Sequence, residues 1–241
     1  MNHTSSISFI HSCILPCLAI LALLCACRQT HITPDGQSDK PLTIFPDYTG
    51  VTFPSNIAPP NFRIMEEGDE FYTEIGNSKK IFFTSKTRQS SVNITENNWS
   101  KLLKETAGET FYIRIFVRQN GKWIQFPDIT NYISESPIDP YLVYRLIYPG
   151  YELWNQMGIY QRDLTSYREI PLIENQSIEK DCLNCHTFCK NSPETMMIHI
   201  RGKVGGTLVY RQGKINRLDV KSPEMKNGGA YAAWHPEGRY L

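Results

Sequence analysis

Thr110-Phe111-Tyr112-Ile113-Arg114-Ile115-Phe116-Val117-Arg118, then Gln119-Asn120-Gly121, then Lys122-Trp123-Ile124-Gln125-Phe126 is the stretch that decides the fold. Phe111, Ile113, Ile115 and Val117 alternate with Tyr112, Arg114, Phe116 and Arg118. A period of two sends successive side chains to opposite faces of a β-strand. Asn120-Gly121 suits a type I′ turn, which needs positive φ at both central residues. The stretch therefore predicts a hairpin.

Working outward, Phe71–Ile75 and Lys80–Thr84 predict strands on either side of Gly76-Asn77. Glu96–Ala107 predicts a helix: Thr95 can cap it, Trp99, Leu102, Leu103 and Thr106 share one face, and Gly108 can end it. Further upstream, Ile44–Pro54 and Asn56–Phe62 are aromatic and punctuated by proline, which suits extended segments and turns. Downstream, Leu142–Tyr148 predicts a strand stopped by Pro149-Gly150. The tract Trp154–Asp163 reads as a structured loop closing the sandwich, with part of a ligand or haem wall as the alternative. Met196–Ile200 is strand-like, and Thr207–Tyr210 with Lys214–Val220 predict a second hairpin around Gln212-Gly213. The fold class expected is mainly β, with a β-sandwich-like domain over 42–174.

Length (241 residues) admits one large domain or two small ones, and the formal net charge is +1. No basic stripe marks a nucleic-acid partner. Met1–Ala26 contains no Lys, Arg, Asp or Glu, and the apolar run Ile14–Leu24 is broken by Pro16 and short for a membrane span. It ends in Leu24-Cys25-Ala26-Cys27, which resembles a bacterial lipobox. Residues 1–26 are thus expected to be a lipoprotein signal peptide, with Cys27 lipidated and 27–41 a polar tether; a plain secretory signal cut nearby or an uncleaved anchor is the alternative, and it too exports the chain. The chain is then exported, lipid-anchored in the cell envelope and facing the periplasm. Acyl chains on Cys27 would anchor it stably without spanning the membrane.

Beyond the lipidated Cys27, the mature chain keeps three cysteines in one cluster: Cys182, Cys185 and Cys189. A disulfide framework shows dispersed, even-numbered cysteines, so this is not one. Cys182-Leu183-Asn184-Cys185-His186 reads C-x-x-C-H, the attachment signature of c-type haem. Cys182 and Cys185 would each add across a porphyrin vinyl group, and His186 would be the proximal iron ligand. The segment 175–203 is expected to hold haem c on a loop and a helical turn. Zinc on Cys182, Cys185, His186 and Cys189 is one alternative, although adjacent Cys185 and His186 suit tetrahedral geometry poorly. A disulfide or redox dithiol is the other. Cys189 reads as a small buried hydrophobe. His199 is the first candidate for the distal ligand, ahead of Met196, with Met197, Met157, Met225 and His235 behind.

With these residues assembled, the chain resembles a family of exported Bacteroidetes proteins described as cytochrome c-type or TolB-like β-propeller proteins. The likeness rests on Phe45–Thr52, Asn56–Pro59, Tyr151–Trp154, Gly158–Leu164, Asn184-Cys185-His186, His199–Lys203 and Trp234–Leu241. The last stretch is similar to the opening of a TolB-like propeller blade. It implies a partial blade over 204–241 in a chain cut where the propeller should begin.

The function expected is a membrane-tethered periplasmic c-type cytochrome that passes electrons to a redox partner protein. The alternative is an exported TolB-like binding or scaffold module with a structural cysteine cluster (zinc or disulfide), using Trp123, Trp154 and Tyr160 as contacts. An accessory of envelope assembly follows from the fold analogy alone. No Ser-His-Asp pattern or phosphate-cradling glycine loop is visible, so no enzyme activity is expected.

Overall fold

A computed structural model describes residues 31–147, 156–224 and 231–241. Four short strands come first: β1 (Gly36–Gln37), β2 (Ile44–Phe45), β3 (Thr52–Phe53) and β4 (Phe62–Ile64). Prolines 46, 54, 59 and 60 lie between or beside them and deny the backbone the donors a longer ladder needs. Next come β5 (Glu70–Gly76), β6 (Ile81–Thr87), β7 (Ser91–Val92), α1 (Glu96–Glu105), β8 (Thr110–Gln119), β9 (Lys122–Gln125) and β10 (Ile129–Ile133).

The deciding stretch folds as its alternation predicts. β8 and β9 pair antiparallel through Asn120 (φ 50°) and Gly121 (φ 79°). One edge of β8 is covered by β5, which in turn pairs with β6. The other edge is shared, β10 taking residues 110–113 and β9 residues 116–119. β1 adds parallel to β9, and β3 parallel to β10. A small sheet, β2-β4-β7, and helix α1 bury the inward face. Phe111, Ile113, Ile115 and Val117 enter this core with Trp99, Leu102, Leu103, Ile64 and Phe53. The Trp99 ring meets Phe53 and Phe111 edge to face, and its Nε1 donates to the Ile57 carbonyl at 2.8 Å. Thr95 holds the extended N-cap conformation of α1 without a side-chain cap bond.

The outward face of the same sheet is also covered. Ile32 packs on Tyr72 and Phe116, with Trp123 beside them. Glu74 is fully buried there; Tyr72 Oη donates to its Oε1 at 3.1 Å, and Arg114, forked onto Asp128, stands 3.6 Å from Oε2. Residues 32–38 therefore belong to the fold, where the sequence predicts a tether as far as residue 41. Asp35 N and Ser38 N donate to the β9 carbonyls of Trp123 and Gln125.

The second half holds two more sheets. β11 (Tyr141–Ile147), β12 (Met157–Asp163) and β13 (Glu169–Glu174) form one; β14 (Cys182–Phe188), β15 (Thr195–Arg201), β16 (Gly206–Arg211) and β17 (Lys214–Leu218) form the other, an antiparallel meander. Ile159, Leu183 and Ile200 make their shared core, flanked by Val143, Ile173, Ile198 and Leu208. The strands of 141–174 pack against the cysteine-bearing sheet. Met157–Asp163 is strand, not loop; its alternation is masked by hydrogen-bonding side chains that pair across strands, such as Tyr160 with Glu174. Within 204–241, β16 and β17 complete the cysteine sheet. The architecture is mainly β, with several sheets, none of them closed into a barrel or propeller among the described residues. Among the described residues no helix is long and apolar enough to cross a membrane. The signal segment, Cys27, Trp154 and Met225 lie outside the described residues.

Two outcomes follow from this packing. Trp99→Ala should cost about 3–5 kcal/mol in urea unfolding, because it leaves a cavity and strands the Ile57 carbonyl. Burial, and then Glu74, push the Tyr72 hydroxyl up to about 12 from 10.0. Its folded pKa is raised, so its contribution is complete below pH 10 and is lost as pH rises towards 12. Urea midpoints measured across that window should fall less steeply in Tyr72→Phe than in the parent chain.

Candidate functional site

The C-x-x-C-H motif lies on strand β14, not on a helical turn; only Cys189–Asn191 forms a 3-10 turn after it. The strand wins because Leu183 is completely buried against Ile159 and Ile200, a contact that needs β14 in the sheet. The ladder runs Cys182 opposite Arg201, Leu183 opposite Ile200, Cys185 opposite His199 and His186 opposite Ile198, with a bulge between Leu183 and Cys185. Directly paired residues share a face. In plain alternation residues three apart fall on opposite faces; the extra residue, Asn184, restores Cys182 and Cys185 to the same one. His199 joins them, one strand over.

His186 does not. It shares the face of Ile198 and Leu183, towards the sheet β11-β12-β13, and packs edge to face on Phe188 at 6.3 Å. Burial lowers its pKa, the Arg145 charge adds to this, and backbone groups of Asn184 and Val143 oppose it. As folded, the motif does not fit a haem that takes both thioethers and His186 together, because His186 and the thiols lie on opposite sides of β14. Cys182, Cys185 and Cys189 are free thiols. Among the described residues no three His, Cys, Asp or Glu side chains converge to hold a metal ion, so the zinc set is not assembled.

Cys182 is half-buried, with Arg201 Nη2 at 3.6 Å from its Sγ. Cys185 is buried. Cys189 is buried too, beneath Gly238, where a Cβ would stand 2.7 Å from its Sγ. This end of the sheet is crossed by 231–241: Trp234 Nε1 donates to the Thr187 carbonyl at 3.2 Å, and Arg211 to the Gly238 carbonyl at 3.3 Å. Of the other predicted iron ligands, Met197 is fully buried on the thiol face and Met196 lies on the opposite face. Met157 is buried in the sheet β11-β12-β13. His235 sits in the turn that ends at Tyr240. Trp123 is packed on the N-terminal sheet with Lys86 over its ring, and Tyr160 bonds Glu174.

His199 is 4% exposed, and its Nδ1 lies 2.9 Å from Thr207 Oγ1. Burial and then the Arg201 charge lower its pKa. It forms part of the wall of a cleft of about 860 Å³ between the loop 201–206 and the end of β17. The loop is shaped from below by Asp181, whose carboxylate accepts from Lys203 N at 3.0 Å and Val204 N at 2.7 Å. Gly202 crosses directly over that carboxylate at φ +148°. Arg217 lies along the loop over Gly206 and donates to the Gly205 carbonyl. Arg201, Lys203, Arg217 and Lys221 all line the cleft, against the single carboxylate of Asp219. None of the four cations forms an ion pair with a carboxylate among the described residues. Sequence reasoning misses this cleft because its cations are dispersed over 201–221 and meet only through the meander. Gly202, Gly205 and Gly206 are the signal in the sequence, marking a tight backbone approach.

Gly202→Ala should cost clearly more than Gly213→Ala. Gly213 (φ +78°) has open space around it, so its substitution carries only the left-handed penalty of about 1–2 kcal/mol. Gly202→Ala adds overlap with Asp181. Equal unfolding free energies for the two variants would show that the Asp181–loop contact is not maintained in solution.

No protein-family model, curated protein or solved structure matches this chain, so its functional reading rests on its own residues and their geometry.

Proposed function

We propose that this chain is an exported, lipid-tethered binding module of the cell envelope, with the cleft between the loop 201–206 and β17 as its site. The observation that carries this reading is the cleft: concave, its loop bound by Asp181, and lined by four cations without carboxylate partners among the described residues. Preformed concavity with convergent polar groups is the usual mark of a ligand site. The signal segment and the lipobox-like Leu24–Cys27 support export and a membrane anchor through Cys27. In this reading the cysteines of β14 are structural, and Leu183 between them joins the two sheets.

A second reading is favoured by the bulge at Asn184. It places both thiols of the motif on one face, as two thioethers to one porphyrin edge require. The chain would then carry haem c on Cys182 and Cys185 and exchange electrons with a redox partner protein. The bound haem would supply one-electron transfer. The imidazole on the thiol face in that case is His199, and His186 serves the sheet interior.

One experiment separates the two. The full chain is expressed in a host with cytochrome c maturation machinery, denatured, and stained on a gel for haem peroxidase activity. The binding-module reading expects no covalent haem. A signal that disappears in Cys182→Ala/Cys185→Ala would overturn it in favour of haem attachment. His199→Ala and His186→Ala spectra would then assign the axial ligand.

A further inference from the structure

We propose that the cleft binds a phosphate-bearing ligand, held by Arg201, Arg217, Lys203, Lys221 and the Nε2 of His199. This rests on the cleft being the binding site and names the chemistry of what enters it. The cleft concentrates four cations in a protein whose formal net charge is only +1. Lys203 and Lys221 are exposed at its rim. Arg201 and Arg217 are oriented by neighbours that take only part of their donor capacity: Cys182 Sγ for Arg201, the Gly205 carbonyl for Arg217. Each guanidinium carries five N–H donors in a planar fork, so several remain for an oxyanion. Phosphate, with up to two charges and three terminal oxygens, uses two forks and two ammonium groups more fully than a carboxylate does.

His199 is the independent pointer. It is more than nine-tenths buried and lines the cleft, yet only its Nδ1 has a partner among the described residues. Which of Nδ1 and Thr207 Oγ1 donates depends on the tautomer; in the one that accepts from the Thr207 hydroxyl, Nε2 carries the ring proton and can donate to an anion in the cleft. Recognition here is by side chains, not by a backbone nest, since Lys203 N and Val204 N are committed to Asp181. Leu218 and Val220 leave part of the lining apolar, which suits an organic phosphate more than the bare ion. Asp219 accepts from Lys221 N at 3.0 Å and is the one lining group that opposes an anion.

The test is calorimetric titration of the full chain with inorganic pyrophosphate, and sedimentation with phosphatidylglycerol vesicles, at low and physiological salt. Saturable binding that weakens with salt is expected in at least one arm. The arm that binds names the source, soluble phosphate or lipid headgroup. Lys203→Gln/Lys221→Gln, both at exposed positions, should weaken it tenfold or more, while Asp219→Asn should tighten it severalfold, a gain that misfolding cannot mimic. Absence of binding in both arms, or binding unchanged by these variants, overturns the proposal. Failure together with a covalent haem signal removes the binding-module reading as well; failure without that signal removes only the phosphate assignment.

Discussion

Strand β8 must satisfy hydrogen-bonding groups on two edges while burying side chains on both faces. β5 takes one whole edge, and the other is divided between β10 and β9. That division lets β3 and β1 enter as short parallel additions at opposite ends of one long strand. The inward residues Phe111–Val117 then require a cover, which α1 and the sheet β2-β4-β7 supply. The second pair of sheets is tied to this body through the β12–β13 turn, where Ala58 N donates to the Leu164 carbonyl at 2.8 Å and Tyr167 to that of Pro59.

The cysteine sheet inherits its form from burial more than from its cysteines. Leu183 opposite Ile200 fixes which face of β14 meets the neighbouring sheet, and the placement of every other group in the motif follows. Asp181, one residue before β14, reaches under the next hairpin and binds its loop, so the start of the motif and the wall of the cleft are mechanically one piece. His199 connects them again, facing Cys185 across the ladder and bordering the cleft.

Much of this was legible in the residues. Period-two alternation marked β8, Asn-Gly and Gln-Gly marked two hairpin turns, and Trp99, Leu102 and Leu103 marked the buried stripe of α1. β12 escaped because Gln161, Arg162 and Tyr160 obscure its pattern, and their strand pairing is a tertiary fact. The chemistry of the cysteine segment suggests a loop and turn, although Leu183 and the apolar residues of β15 carry a strand signal. The cleft was out of reach, since Arg201 and Arg217 are far apart in sequence and near only because β16 folds back between them. His199 was singled out, but for iron; its buried contact with Thr207 depends on cross-strand register.

The bulge at Asn184 makes the motif a matter of parity. A sheet counts residues modulo two, and the bulge supplies one uncounted residue, so C-x-x-C behaves here as C-x-C would in an unbroken strand. Deleting Asn184 along with the bulge would leave the thiols together. No insertion or deletion between the cysteines can bring His186 beside Cys185, because adjacent residues in a regularly paired stretch of strand point to opposite faces. Only peeling β14 from β15, with loss of the Leu183 contact, could place that imidazole and both thiols on one side.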